Sequence, residues 1–191
     1  MAKRVYFAFT YQDVIDFRAN VVRNHKFAKG VEAAGYYDHS IWEDAKNTNP
    51  EVLKRLINTE LENTSVTVVL IGSDTWSRRW VRYEIFQSLK RSNALFGIHI
   101  NGIKGKDGLT KASGPDPFNN LGIEFNAEGN LARPTEWWNS AWRFNTDTGP
   151  YALLQTTERY KGQHVKLLEW CPVRDWVSDD GYNNFGSWVG S

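Results

Sequence analysis

The clearest chemical signal in the sequence is a tryptophan followed four residues later by a glutamate. Trp80 and Glu84 lie in a segment with helical spacing, and residues four apart in a helix share one face. No cation stands three or four positions from Glu84, so its carboxylate has no local ion-pair partner. A carboxylate beside an indole can stabilise positive charge in a bound molecule. The spacing alone leaves two alternatives open, a solvated carboxylate and a tryptophan packed in the core.

Other patterns exclude several kinds of site. The apolar run 66–71 ends without the aspartate that a phosphoacceptor receiver needs, and residues 10–13 lack the glycines of a flavin phosphate loop. The four histidines, at positions 25, 39, 99 and 164, have no ligand spacing with one another or with the cysteine. We therefore expect no metal site. Serine hydrolase and P-loop signatures are absent from the sequence.

Composition is typical of one globular domain spanning residues 1–191. The formal net charge of +1 argues against nucleic acid or an anionic membrane as the main partner. The single cysteine, Cys171, cannot form an internal disulfide, and we expect a reduced, cytoplasmic protein. No apolar run approaches the ~20 residues of a membrane span. Nine tryptophans favour flat binding surfaces or an aromatic core.

The elements that hold Trp80 and Glu84 alternate between strands and helices over residues 1–100. In chain order we predict a strand at 5–9, a helix at 12–28, a weak extended segment at 35–38, a helix that Asn49 and Pro50 begin, a strand at 66–71, a helix at 79–91 and a strand at 95–100. This alternation predicts an α/β fold with an open, mostly parallel sheet and helices on both faces. Ligands of such sheets bind beyond the carboxyl ends of the strands. The loops predicted there are 10–13, 38–46 and 72–79.

The second half of the chain differs in composition. Residues 101–163 are rich in glycine, proline, asparagine and tryptophan, which predicts a loop-rich insertion with short antiparallel strands near 123–125 and 137–144. Residues 164–191 are expected to hold a final sheet strand, at 164–170, and an aromatic C-terminal segment, 173–189. No repeat indicates a second domain.

Three stretches together resemble a TIR domain of the bacterial TIR-like branch. They are residues 5–9, 38–44 and 73–84, the last with its Trp-x-x-x-Glu spacing. The whole chain, including the aromatic ending at 175–182, is similar to the TIR proteins of Thoeris antiphage defence, most strongly up to Ile100. The resemblance implies a flavodoxin-like TIR fold and an NAD+ nucleosidase or ADP-ribosyl cyclase. It also implies a cyclic ADP-ribose isomer that activates a partner effector.

The resemblance implies that Glu84 is catalytic, because the glutamate of this motif is catalytic in enzymatic TIR domains. Nicotinamide needs no general acid to leave, so a carboxylate has only to stabilise the oxocarbenium-like ribose. NAD+ is then a substrate, and no cofactor is implied. The candidate substrate-binding residues are Phe9, Tyr11 and Trp80 for the aromatic rings, Arg78 and Arg79 for the pyrophosphate, and Thr10, Asp38 and Glu43 from the first two loops. The candidate cover of the pocket comprises Trp137, Trp138 and Trp142.

Two other functions remain open on the sequence. One is a non-catalytic TIR scaffold that signals by self-association or by binding a partner surface. The other is a nucleoside-processing glycosyl transferase, which uses a similar fold and a catalytic carboxylate. For the enzyme we expect low basal turnover and activation on infection, with a phage-derived trigger, since continuous loss of NAD+ would harm the host cell. The sequence also leaves open whether the chain forms a homo-oligomer.

Overall fold

The computed structural model of the chain describes residues 4–25 and 49–190, which contain two β-sheets and five α-helices. The strands are β1 (Val5–Ala8), β2 (Val66–Ile71), β3 (Ala94–His99), β4 (Leu121–Phe125), β5 (Leu131–Trp138), β6 (Ala141–Phe144), β7 (Tyr151–Ala152), β8 (His164–Lys166) and β9 (Val173–Asp175). The helices are α1 (Tyr11–Ile15), α2 (Arg18–Arg23), α3 (Pro50–Leu61), α4 (Arg79–Lys90) and α5 (Gly181–Gly190). Single 3-10 turns cover Thr75–Ser77, Pro117–Asn120 and Leu167–Glu169.

The first sheet has the strand order β1-β2-β3-β9, and every pairing in it is parallel. All six residues of β2 are buried, as is typical of a central parallel strand covered on both faces. The second sheet is antiparallel, with the order β6-β5-β4-β8 and with β7 paired to β5. The parallel sheet confirms the predicted α/β fold.

Helices cover both faces of the parallel sheet, as predicted. One face packs on α3 and α4, through residues such as Leu53 and Ile85. The inner face of β4, which includes Ile123, joins the same cluster, so the antiparallel sheet shares its core with these two helices. The opposite face packs on α2 and α5, through Val22 and Phe185. Successive strand side chains alternate between the two faces.

Helix α3 begins where the sequence predicts. The side chain of Asn49 accepts a hydrogen bond from the backbone N–H of Glu51 at 3.0 Å, and Pro50 takes the first helical position. The strands at 66–71 and near 95–100 and the helix at 79–91 are likewise confirmed. None of the helices within the described ranges is long and apolar enough to cross a membrane. The extended segment predicted at 35–38 lies outside the described residues.

The single helix predicted over residues 12–28 is wrong for its described part. Phe17 adopts a left-handed backbone, with φ of 65°, and separates α1 from α2. Beside this break, the buried guanidinium of Arg18 donates hydrogen bonds to the carbonyl oxygens of Ile103 and Leu109. These bonds fix the start of α2 against the loop after β3. The apolar spacing could not reveal the break, because the carbonyl groups that hold Arg18 beside it lie more than eighty residues away.

The C-terminal region also differs from the prediction. The segment 164–170 forms only a short strand, β8, and it belongs to the antiparallel sheet. The last strand of the parallel sheet is instead β9, which pairs with β3 and begins the segment that we expected only to pack on the body. Residues 101–163 hold four of the antiparallel strands, including the predicted pieces at 123–125 and 137–144. This region is therefore an ordered sheet with long connections.

Candidate active site

Glu84 lies in α4 and is buried against the parallel sheet, with 4% of its surface exposed. Its Oε1 accepts a hydrogen bond of 2.6 Å from the hydroxyl of Tyr6, a fully buried residue of β1. The other oxygen, Oε2, is buried and has no hydrogen-bond partner among the described residues. One carboxyl oxygen is thus held by Tyr6, and the other makes no hydrogen bond within the described residues.

Burial changes the ionisation of this carboxyl. Loss of solvation raises the pKa of Glu84 from 4.5 to about 8, and the hydrogen bond from Tyr6 opposes that rise. In this conformation the group is therefore mostly protonated at neutral pH. A positive charge placed beside it would favour the ionised form.

The backbone of Glu84 is held as firmly as its side chain. The Ser88 hydroxyl donates to the Glu84 carbonyl oxygen at 2.7 Å, and the Thr67 hydroxyl on β2 donates to Ser88 at 2.8 Å. This chain of buried groups ties α4 to the centre of the sheet. With the Tyr6 hydroxyl on Oε1, both the backbone and the carboxyl of Glu84 are held by hydrogen bonds.

Trp80 lies one turn before Glu84 and is only 9% exposed. Its ring meets Tyr83 edge-on at 6.0 Å, and the Arg79 guanidinium lies 4.8 Å from its centre. The ring belongs to the core cluster between the sheet and the helices. Packing therefore accounts for most of its surface, and a role in stacking a substrate ring stays a prediction.

Helix α1, which follows β1, places a second buried acid, Asp13, at the carboxyl edge of the sheet. The Thr10 hydroxyl donates to Asp13 Oδ2 at 2.6 Å, and burial raises the pKa of Asp13. A Cβ at Gly72 would lie 2.3 Å from that oxygen, so only glycine allows this close approach after β2. Tyr11, the first residue of α1, is exposed.

Phe9 lies on the face of the sheet opposite to Glu84. It packs against the cluster that contains α2 and α5, and the Arg23 guanidinium lies 4.9 Å from its ring centre. Strand alternation explains this, since Tyr6 points to one face and the odd-numbered neighbours to the other. The structure therefore does not bring Phe9 together with Glu84.

Both predicted pyrophosphate ligands are already paired with carboxylates. Arg79 donates two hydrogen bonds to Asp147, at 2.7 and 2.6 Å, and Arg78 pairs with Asp74. The Arg79 pairing also lowers the pKa of Asp147. A pyrophosphate would have to compete with these partners for either cation.

The remaining predicted residues divide into two groups. Asp38 and Glu43 lie outside the described residues. The ring of Trp137 contacts that of Trp142, the ring of Trp142 also contacts His164, and Trp138 contacts Arg143. None of these contacts is with Glu84, so a covering role for the three tryptophans stays a prediction. Within the described ranges no group of three or more histidine, cysteine, aspartate or glutamate side chains could hold a metal ion.

Sequence reasoning missed Tyr6, the partner of Glu84. A signal was present, because a tyrosine in a strand buried on both faces must find a partner for its hydroxyl. Alternation along β1 could also have separated Tyr6 from Phe7 and Phe9. The identity of the partner, 78 positions away, could not be read from the pattern.

Comparison with known proteins adds to this geometry. Residues 6–104 match the family described as Thoeris protein ThsB, TIR-like domain. The chain is also 52% identical, over 191 residues, to ThsB1 of Bacillus cereus (strain MSX-D12), which is named as a candidate cyclic ADP-D-ribose synthase. That alignment covers 99% of this chain and 100% of the relative. Tyr6 and Glu84 both lie within the range that matches the family.

Proposed function

The chain belongs to the Thoeris ThsB family of TIR-like proteins, and we propose that it cleaves the nicotinamide–ribose bond of NAD+ and closes the ADP-ribose into a cyclic isomer. The name of the relative supports the class of product. The observation that carries the proposal here is Glu84, a buried carboxyl with one oxygen held by Tyr6 and the other without a partner in the described structure. Such a group, once ionised, can stabilise the positive charge of a sugar cation.

The reaction asks little of the protein beyond charge and position. The electron pair of the glycosidic bond leaves with nicotinamide, which becomes neutral, and positive charge remains at C1′ of the ribose. Ionised Glu84 stabilises that charge. A hydroxyl or ring nitrogen of the same ADP-ribose then forms the new bond to C1′, and a proton is released.

The burial of Glu84 supports low basal turnover. Only 4% of the Glu84 surface is exposed, so NAD+ can contact the carboxyl only after neighbouring groups move. Such a requirement suits an enzyme that an infection-derived trigger activates. A dry site also favours closure over hydrolysis, since water is the competing acceptor.

The cyclic product acts as a second messenger for a partner effector protein. Membership in a Thoeris family supports this part of the proposal. The enzyme would then need no direct contact with the effector, because a diffusible nucleotide connects the two.

The test is nicotinamide release by the wild type and Glu84→Gln, each with extract from phage-infected cells. The change removes the charge and keeps the shape, so we expect a folded protein with at least about 100-fold lower turnover. Glu62→Gln, at an exposed position just after α3, is the matched control and should retain full turnover.

Wild-type turnover in Glu84→Gln would remove Glu84 from the active site. If the wild type releases no nicotinamide with any extract, the non-catalytic TIR scaffold becomes the better description. Chromatography of the nucleotide product separates closure from simple hydrolysis.

A further inference from the structure

We propose that Tyr6 is a positioning residue for Glu84, whose hydroxyl holds Oε1 so that Oε2 is left to face the substrate ribose. This inference rests on the proposed function, because it assigns a role to the partner of the proposed catalytic group. It also makes a claim about the free protein that can be measured without substrate.

Two paired strand residues hold the two ends of Glu84. Tyr6 and Thr67 are Cα partners in the parallel register of β1 and β2. Tyr6 binds the carboxyl at 2.6 Å, and Thr67 holds the backbone carbonyl through Ser88. Neighbouring strands therefore fix the helix residue at both its backbone and its side chain, which leaves the carboxyl little freedom to rotate.

Tyr6 is the one described group that favours the charged form of Glu84. The residues three and four positions from Glu84 along α4 are Trp80, Val81, Gln87 and Ser88, and none of them carries a charge. Among the described residues, the effects that act on its ionisation are burial and the hydroxyl of Tyr6, and no charged group contributes. Two cations on the helices α3 and α4 are paired with carboxylates elsewhere. These pairs are Lys54 with Glu51 and Asp147, and Arg82 with Glu136.

The second oxygen indicates where the ligand lies. A buried acceptor with no hydrogen bond is costly and uncommon in a folded protein. Since Oε1 is taken by Tyr6, Oε2 is the atom that can accept from a ribose hydroxyl or face a positive C1′. The Tyr6 contact thereby selects which oxygen serves the substrate.

Tyr6→Phe tests the role with a single deleted oxygen atom. Loss of the hydroxyl makes the ionised carboxylate less stable, so the acidic limb of the kcat profile should move to higher pH by about one unit. Near neutral pH, kcat should fall about tenfold, and KM should change less than about twofold. At alkaline pH the activity of the variant should approach that of the wild type.

Tyr83→Phe is the matched control. Tyr83 is a buried tyrosine next to Glu84 in the sequence, but its hydroxyl pairs with Asn58 at 2.9 Å. In this control the acidic limb of the kcat profile should lie at the same pH as in the wild type. An acidic limb unchanged in Tyr6→Phe, or activity lost equally at every pH, would overturn the positioning role.

A titration without substrate separates this inference from the proposed function. Carboxyl carbon-13 NMR of labelled glutamate should show Glu84 titrating about one unit higher in Tyr6→Phe than in the wild type. This result would support the contact even if no nicotinamide were ever released. Equal midpoints in the two proteins would overturn it even if the enzyme proved active.

A measurement on the wild type covers the case in which Tyr6→Phe does not fold. With labelled ring and carboxyl carbons, the resonances of Tyr6 and Glu84 should shift with the same midpoint, because the two groups share one hydrogen bond. Independent midpoints would contradict the proposal.

Discussion

At the scale of single residues, Glu84 makes stability depend on pH. Burial raises its pKa to about 8 in the folded state, above the 4.5 of an exposed glutamate. Between these values the folded state binds more protons than the unfolded state. The free energy of unfolding therefore falls as the pH rises through this window, which is the reverse of the usual behaviour of a salt-bridged carboxylate.

Glu84→Gln should abolish this pH dependence. Glutamine resembles the protonated side chain, and its amide oxygen can still accept from Tyr6. Relative to the wild type, the free energy of unfolding of the variant should increase as the pH rises from 5 to 9, by at most about 5 kcal/mol. Urea unfolding at several pH values measures the gap, with Glu62→Gln, at an exposed position, as the reference variant. A gap that stays constant with pH would mean that Glu84 titrates as an exposed group.

At the scale of elements, an ion pair connects the helix of Glu84 to the antiparallel sheet. Nε of Arg82 on α4 lies 3.1 Å from Oε2 of Glu136 on β5, and both side chains are more than four-fifths buried. Glu136→Gln leaves the Arg82 guanidinium poorly compensated and should cost about 1–3 kcal/mol. Glu124→Gln is the control, because its pair with Arg133 is exposed and should be worth under about 1 kcal/mol. Urea midpoints compare them, and equal losses would contradict a specific connection.

The break between α1 and α2 predicts a reversal of the usual preference for alanine over glycine in helices. Phe17 has a left-handed backbone, which costs a residue with a Cβ about 1–2 kcal/mol. Phe17→Gly should therefore be more stable than Phe17→Ala, although both remove the same ring. At Val21, inside α2, the alanine variant should be more stable than the glycine variant by about 1 kcal/mol. Thermal unfolding of the four variants tests this, and an alanine preference at both sites would contradict the break.

Elements with a strong local pattern could be predicted from the sequence, and those fixed by distant contacts could not. The continuous β-branched run made β2 evident, and Asn49 with Pro50 marked the start of α3. Strand β9 has only three residues and depends on its pairing with β3. In the same way, Glu84 could be identified as the candidate catalytic residue from a local motif, whereas its contact with Tyr6 depends on the packing of α4 against β1.

At the scale of the whole molecule, the two sheets share a core. The 3-10 turn at Pro117–Asn120 precedes β4, and its Phe118 is fully buried in the cluster that contains α3 and α4. The Phe118 ring also fills the space over Gly97 of β3, where a Cβ would lie 3.2 Å from it. One side chain therefore contacts both sheets. This arrangement favours the predicted single domain, which stays a prediction.

Phe118→Ala measures whether the two sheets unfold together. Loss of a buried phenylalanine should cost about 3–5 kcal/mol, and Leu154→Ala, at a residue 93% exposed, should cost almost nothing. If the shared core couples the sheets, the variant should still unfold in one transition, at a lower midpoint. Tryptophan fluorescence and far-ultraviolet circular dichroism should then agree, because tryptophans lie in both sheet regions, as Trp80 and Trp142 do. Two separated transitions would show that the antiparallel sheet unfolds independently, and would remove the physical link through which it could influence Glu84.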